Sequence, residues 1–194
     1  MRLSIPAQRT LDLDIENRPL SYAGDDFTFS EITAIACADV VVLASGKAKG
    51  QNAKCWLLGI DHPQTMLEEF RERYEAADII TGHNIRKHDL RLLNGAMLEY
   101  GYGPLPPRLF SDTYLHLKTL GGVSKSQESL AAMCGVKAQK IHMNQKDWRD
   151  ANRLYEEGVE KARARCIGDV RQHIEMRAIL LERGWLRAPR MWTP

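Results

Sequence analysis

Two acidic residues, Asp14 and Glu16, stand in the segment LDLDIEN at residues 11–17. Side chains alternate between the two faces of a β-strand, so both carboxylates would leave the same face about 7 Å apart. At that separation they can share one divalent cation, and the alternation puts Asp12 beside them near the start of the strand. The same pattern fits an edge strand with a solvated acidic face. Only further candidate ligands elsewhere in the sequence can distinguish a metal site from a solvated face.

A further acid, Asp89, lies in TGHNIRKHDLRLL at residues 81–93, where the apolar spacing predicts that a strand ends and a helix begins. A carboxylate about one turn inside such a helix can point back over the end of the sheet. Asn84 can cap the helix or bind a ligand through its amide. Taken alone, Asp89 is better explained as a surface acid that pairs with Arg86 or Arg91.

The last candidate acid is Asp169, on a long predicted helix. It adjoins an apolar stripe formed by Cys166, Val170, Ile174 and Leu181. Carboxylates beside a buried stripe are uncommon unless they are paired or bound to metal. Asp169 is therefore a candidate metal ligand.

Apolar patterning predicts the elements that position these acids. Two apolar runs, at 32–44 and 55–60, follow the first strand and turn signals at 24–26, and a basic hairpin tip at 46–52 separates them. The later predicted elements are a helix to about 77, a short strand from 79, a helix around 90–98, a strand at 109–117, a helix at 126–133 and a helical region from 148 to 184. A three-strand meander followed by alternating helices and strands predicts an α/β domain, with a mixed sheet of about five strands flanked by helices. Ligands of such sheets gather at the strand ends.

The composition is that of an ordinary folded protein, and 194 residues suit one domain spanning 1–194. Hydrophobic residues make up 44% of the chain and charged residues 27%, which argues against disorder. The net charge is only +2, but basic residues crowd the last third. This crowding is compatible with a polyanionic partner and equally with a charged helix surface.

The four cysteines are far apart in the sequence and predict buried thiols in a reducing compartment. The first strand begins too early to leave room for a signal segment, and no apolar run approaches the ~18 residues of a membrane span. We therefore expect a cytoplasmic protein that does not associate with membranes.

The order of the acids is more informative than any one of them: Asp-x-Glu on the first strand, Asn-x4-Asp at a strand–helix junction, and Asp on a late helix. This order resembles that of the DEDD superfamily of 3′–5′ exonucleases, within the ribonuclease H-like fold. GHNIRKHDLRLL at 82–93 resembles the family's second motif, FSDTYLHLKT at 110–119 its connecting strand, and SQESLAAMCGV at 126–136 the helix that follows. The resemblance covers most of the chain. It is strongest to the exonuclease domain of family B DNA polymerases, here with no polymerase region attached.

The resemblance implies four ligands for two divalent metal ions, Mg²⁺ or Mn²⁺: Asp14, Glu16, Asp89 and Asp169. Carboxylates suit such hard cations. Two ions roughly 3.5 to 4 Å apart can activate a water and stabilise the leaving 3′-oxygen during in-line attack on a phosphodiester. The resemblance also implies substrate contacts from Asn84, Ile15 and Asn17.

One position departs from the family pattern. The family's third motif has a Tyr four residues before the last Asp, or a His five residues before it, which orients or deprotonates the nucleophilic water. Here these positions hold Arg165 and Ala164. Arg cannot be a general base at physiological pH because its pKa exceeds ~12. We expect Arg165 either to contact the scissile phosphate as part of the catalytic site, or to pair with Asp169 one helical turn away, or to mark a slow or inactive enzyme.

Together these features predict a metal-dependent 3′–5′ exonuclease that acts on DNA, preferably on single-stranded 3′ ends, and releases 5′-mononucleotides. A separate polymerase or replication protein is a candidate partner. An exoribonuclease is an alternative, because the fold serves both polymers and no residue visibly reads the 2′-hydroxyl. A nucleic-acid-binding module with weakened catalysis is the alternative outside the enzymes. Arg165, in place of the family's Tyr or His, favours it. The retained carboxylates count against it, since without metal they would repel one another and the phosphate backbone.

Overall fold

The computed structural model of the protein describes residues 8–19, 30–43, 47–138 and 140–194. The predicted turn at 24–26 lies outside these residues, as does the first residue of the hairpin tip at 46–52.

Within the described residues, six strands form one mixed sheet in the order β3-β2-β1-β4-β5-β6. The strands are β1 (Thr10–Pro19), β2 (Ser30–Val42), β3 (Ala48–Leu57), β4 (Ile79–Gly82), β5 (Arg108–Asp112) and β6 (Arg190–Trp192). The first three form the predicted antiparallel meander. β4 runs parallel to β1 and to β5, and β6 lies antiparallel to β5. The predicted mixed sheet is confirmed, with six strands instead of about five.

Helices cover both faces of the sheet. They are α1 (Pro63–Ala76), α2 (Asp89–Glu99), α3 (Thr113–Leu117), α4 (Gln127–Cys134), α5 (Gln145–Asn152) and α6 (Glu156–Glu182). On one face, Leu11, Leu13 and Ile15 of β1 join the apolar residues of α1 and α2 in the larger core. On the other face, α6 packs against the small side chains of β2 and β3. Alternation along β1 therefore sends its acids toward α6.

The buried stripe of α6 agrees with the sequence pattern except at its end. Cys166, Val170 and Ile174 are buried, and Asp169 beside them is only 3% exposed. Leu181, expected in this stripe, is 42% exposed, whereas Leu180 faces the core. The helix turns by about 100° per residue, so a shift of one position exchanges a buried site for an exposed one.

Two predicted elements differ from the structure. The strand predicted at 109–117 ends at Asp112, because the Asp112 carboxylate accepts a hydrogen bond from Leu115 N–H and caps α3. The region beyond 148 is not one helix: a turn at Leu154, with a φ of 61°, separates α5 from α6. The short edge strand β6 was not predicted. The helix at 126–133 is confirmed, with its Ser126 cap and Gly135 in the left-handed conformation at its end.

The four cysteines are free and buried, as predicted. Among the described helices, none combines the length and apolar character needed to cross a membrane.

Candidate functional site

Three of the predicted acids meet at one end of the sheet. One carboxylate oxygen each from Asp14, Glu16 and Asp169 lies within 4.8 Å of the other two. The first two come from adjacent same-face positions of β1, and the third comes from the stripe of α6 that packs on this face. The packing of α6 on the sheet therefore brings together residues that are about 150 positions apart in the chain.

Asp89, the fourth predicted acid, borders the same cleft as the first residue of α2. Its Oδ1 accepts a hydrogen bond from the backbone N–H of Ile15 at 3.2 Å, between the two acids of β1. Its Oδ2 lies 3.3 Å from Nδ1 of His88. All four predicted acids thus line one open cleft of about 290 Å³.

The turn that leads to Asp89 depends on a glycine. A Cβ on Gly82, the last residue of β4, would overlap the side chain of Ile85 and lie 2.7 Å from the carbonyl oxygen of Leu13. Asp112 holds the next residues, since its carboxylate accepts the backbone N–H groups of Asn84 at 2.9 Å and Arg86 at 3.1 Å. The close approach of β4 to β1 brings this turn over the acidic end of the sheet.

The acids perturb one another's protonation. Burial, and then the negative charges of Asp89, Glu16 and Asp169, raise the pKa of Asp14 well above its ordinary value. Burial also raises the pKa of Asp89, although its hydrogen bond with His88 opposes this effect. The same hydrogen bond raises the pKa of His88. Perturbed acids in a cleft are typical of functional sites.

Two cations balance part of this negative charge. Arg165 Nε donates to Glu16 Oε1 at 3.2 Å, and its NH2 group lies 3.6 Å from Asp169 Oδ2. Its NH1 group donates to the carbonyl of Ile141 at 2.9 Å. Lys140 Nζ lies 3.2 Å from the same Asp169 oxygen. The i,i+4 pair with Asp169, one of the alternatives for Arg165, is present, together with a second pair to Glu16 of β1.

The residues of this site fit a divalent cation. Asp169 Oδ1 is buried and has no hydrogen-bond partner among the described residues. A buried acceptor without a partner is costly, so such an atom calls for a donor or a cation. The four acids among the lining residues offer carboxylate oxygens, which are the ligands that Mg²⁺ and Mn²⁺ prefer.

Two of the three predicted substrate contacts line the cleft, and the third does not. Asn84 and Ile15 line the cleft, the latter with its side chain turned into the opposite core. Asn84 has a φ of 66°, and its Oδ1 is buried without a partner in the described part of the chain. Asn17 does not line the cleft. It follows a register shift in β1, and its amide donates to Ser30 Oγ at 2.5 Å.

A buried polar chain runs beneath the acids. Asp12, expected beside the acidic pair, is fully buried, and its Oδ2 accepts from Thr81 Oγ1 at 2.5 Å and lies 2.6 Å from His173 Nδ1. His173 Nε2 lies 3.1 Å from Thr113 Oγ1, which lies 2.8 Å from His83 Nδ1. His83 borders the cleft, and burial followed by the charge of His173 lowers its pKa to about 4.

Sequence reasoning missed three side chains of the cleft. Lys140 falls in a stretch without helical or strand periodicity, so no local signal identifies it. Gln127, whose amide donates to the carbonyl of Asp169 at 2.8 Å, follows the recognised cap of α4. His83 stands directly after the glycine that ends β4. The last two could have been found from their positions beside a helix start and a strand end.

Comparison with known proteins identifies the fold. No family model and no curated protein sequence matches the chain. The solved structure of the family B DNA polymerase from the hyperthermophilic archaeon Pyrobaculum calidifontis matches with a TM-score of 0.68 and 17% sequence identity. The match covers 91% of this chain and 25% of the polymerase, so the chain spans about a quarter of that protein's length. The expectation of a ribonuclease H-like mixed α/β fold is confirmed by this similarity together with the sheet topology.

Proposed function

We propose that this protein is a metal-dependent 3′–5′ exonuclease of the DEDD superfamily, which hydrolyses DNA from 3′ ends to 5′-mononucleotides. The carrying observation is that Asp14, Glu16 and Asp169 approach within 4.8 Å in a cleft that Asp89 also borders. The likeness to part of a DNA polymerase supports nucleic acid as the substrate class. Residues 1–194 would act as one exonuclease-like domain.

The four acids would hold two divalent ions, Mg²⁺ or Mn²⁺. When bound, such ions supply an activated water and neutralise charge on the leaving oxygen. Asp169 Oδ1 supports this assignment, because it is a buried acceptor with no donor in the described residues. The raised pKa of Asp14 also supports it, since crowding of carboxylates is relieved when positive charge enters the cleft.

Arg165 and Lys140 would bind the phosphate of the substrate. Both cations already lie at the carboxylates, within 3.2 to 3.6 Å of Asp169 Oδ2. A fixed cation at this point can stabilise negative charge that develops on a phosphate during attack. A guanidinium has only N–H donors and no acceptor, so Arg165 cannot deprotonate the attacking water. The amide of Asn84 offers a neutral polar contact on the same wall.

A nuclease assay with a 3′-labelled oligonucleotide tests the proposal. Single-stranded DNA, duplex DNA and RNA are compared in parallel with Mg²⁺ and with Mn²⁺, and release of labelled mononucleotide is followed. Asp14→Ala and Asp169→Ala should abolish hydrolysis while circular dichroism shows an intact fold. Glu175→Ala is the matched control, because Glu175 is an exposed acid on the same helix as Asp169. Faster cleavage of RNA would favour the exoribonuclease alternative.

One observation favours a second candidate, a catalytically weakened nucleic-acid-binding module. The guanidinium of Arg165 contacts both Glu16 and Asp169, so its single positive charge offsets part of the negative charge of these two acids. If the guanidinium takes the place of a metal ion, nucleic-acid binding would stay intact and hydrolysis would be weak. This candidate predicts nucleic-acid binding without mononucleotide release under any of the metal conditions above.

A further inference from the structure

A second chamber opens beside the carboxylate cleft. It has a volume of about 240 Å³ and shares Lys140 and Arg165 with the cleft as a common wall. Its other lining residues are Glu128, His142, Met143 and Trp148. None of the four site acids lines it. The chamber therefore continues the cleft beyond the four site acids, with a mostly polar lining to which Trp148 adds an aromatic ring.

The indole of Trp148 is the largest flat surface of this chamber. Trp148 is only partly buried, and the Arg165 guanidinium carbon lies 5.6 Å from the centre of its ring. A guanidinium over an indole face is an attractive cation–π arrangement. Arg165 is also anchored to Glu16 and to the carbonyl of Ile141. One side chain thus links the aromatic surface directly to the acidic site.

The helix that carries Trp148 is fixed in position. Asn144 and Asp147 form a reciprocal capping box at the start of α5. Lys161 of α6 donates to Asp147 Oδ2 at 2.6 Å and ties the two helices together. Gly158 lets their backbones touch, because a Cβ there would lie 2.5 Å from the carbonyl carbon of Asp150. A ring held on such a helix can receive a flat ligand with little loss of conformational freedom.

We propose that this chamber binds the nucleobase of a nucleotide next to the scissile phosphate, by stacking on the part of the Trp148 indole that lines the chamber and that Arg165 leaves uncovered. The inference rests on the proposed function, since the phosphate would lie at Lys140 and Arg165 on the shared wall. Every base has a π face, so stacking on Trp148 suits a nuclease without sequence preference. Glu128 on the chamber lining would repel phosphate and keep the backbone on the side of the two cations.

Binding of labelled DNA tests the chamber. Three single-stranded oligonucleotides of one sequence carry fluorescent 2-aminopurine at the first, second or eighth position from the 3′ end. Each is titrated with Asp14→Ala protein in the absence of divalent metal. We expect quenching at the terminal or the second position but not at the eighth, and the responding position identifies which neighbour of the phosphate is bound. The double variant Asp14→Ala, Trp148→Ala should show no quenching and should bind roughly five- to a hundredfold more weakly.

Three variants control for folding and for loss of bulk. Trp148→Phe keeps an aromatic face and should retain most of the affinity, whereas Trp148→Leu fills space without a π face and should bind like Trp148→Ala. Trp185→Ala removes a 52% exposed indole elsewhere and should change the Kd by less than about twofold. Equal affinities for Trp148→Leu and Trp148→Phe, equal quenching at all three positions, or no binding at low salt would overturn the inference.

Hydrolysis assays separate this inference from the proposed function. If the unaltered protein fails to hydrolyse DNA but its binding still depends on Trp148, the exonuclease proposal is wrong and the chamber assignment stands. If it hydrolyses DNA normally and Trp148→Leu binds as tightly as the parent, the chamber assignment is wrong and the exonuclease proposal stands.

Discussion

The fold disfavours the charged form of Asp14. Its pKa lies well above the ordinary value of 3.8, so between these two pH values the folded state holds a proton that the unfolded state has lost. The free energy of unfolding therefore falls as pH rises above 3.8 and stops falling once the folded carboxyl is ionised. Asp14→Asn removes this loss. The free energy of unfolding of the variant should therefore exceed that of the parent by on the order of 1 kcal/mol at neutral pH.

Urea unfolding with chelator present, from pH 4 to pH 8, measures this difference. The advantage of Asp14→Asn over the parent should grow with pH and then level off. Glu175→Gln, which neutralises an exposed acid, is the control and should run parallel to the parent. A constant difference at every pH would contradict the electrostatic cause.

Arg165 distinguishes an active nuclease from a weakened one. If it binds the phosphate, Arg165→Ala should lower kcat/KM by roughly 10²-fold with little change in the pH optimum, because the lost group does not titrate. Arg163→Ala is the matched control, since Arg163 lies on the same helix and pairs with Glu160. A faster Arg165→Ala enzyme would show that the guanidinium competes with metal. Loss of a basic limb in the pH profile would demand a titrating group at this position.

Thr113 is the middle of the buried polar chain below the site. Its hydroxyl lies between His173 Nε2 and His83 Nδ1, so Thr113→Val would leave one buried and one partly buried ring nitrogen without this partner. We expect a loss of about 1 to 3 kcal/mol in the free energy of unfolding. Thr113→Ser keeps the hydroxyl and should lose less than half as much. Equal losses for the two variants in urea titrations would contradict the hydrogen-bond argument, because only Thr113→Val lacks the hydroxyl.

The acids of the site could be found from sequence because each has a local signal. Alternation in β1 made Asp14 and Glu16 candidates, a strand–helix junction Asp89, and an apolar helical stripe Asp169. Each of these signals also fitted a structural role, and only the order of the acids, through its resemblance to the DEDD exonucleases, implied one site. Lys140 could not be found in this way, since only tertiary packing carries an irregular segment to the carboxylate of α6. The burial of Asp12 was hidden for a related reason: its partners come from β4 and α6.

At the scale of elements, the contact between α5 and α6 depends on Gly158. A Cβ at this position would overlap the backbone of α5 at residues 150–151. Gly158→Ala should therefore force the helices apart and lower the free energy of unfolding by about 1 to 3 kcal/mol. Gly168→Ala is the control on the same helix, because nothing lies within 4 Å of its added Cβ. It should be neutral or stabilising by up to about 1 kcal/mol. Thermal denaturation of both variants measures the difference, and equal melting temperatures would contradict the packing argument.

Element boundaries were harder to predict than element types. The FSDTY segment continues an apolar strand pattern, yet the Asp112 cap turns the chain into α3. The break between α5 and α6 has no glycine or proline at Leu154, where a left-handed residue closes the turn. The three residues of β6 gain strand structure only by pairing with β5. In each case a hydrogen bond or a tertiary partner outweighs local propensity.

For the whole molecule, the proposed nuclease should prefer unpaired 3′ ends. A paired end must fray before it can enter the cleft, at a cost of about 1 to 2 kcal/mol per base-pair step. Initial rates should fall from a single strand, to a duplex with a mismatched 3′ end, to a blunt duplex. Binding should weaken as salt rises, because the basic last third would contact the phosphate backbone. Equal rates on all three substrates, or cleavage of a circular single strand, would indicate an endonuclease.

The position of α6 in the chain also bears on synthesis. A nascent chain folds from its N-terminus as it leaves the ribosome, and residues 10 to 112 already provide β1 to β5 and three of the four acids. Asp169 and the helix that covers the alanine-rich face of β2 arrive together, much later. The same element would complete both the second core and the metal ligands. Half-made or truncated chains would therefore carry no working nuclease, and their uncovered sheet face would mark them for chaperones and proteases.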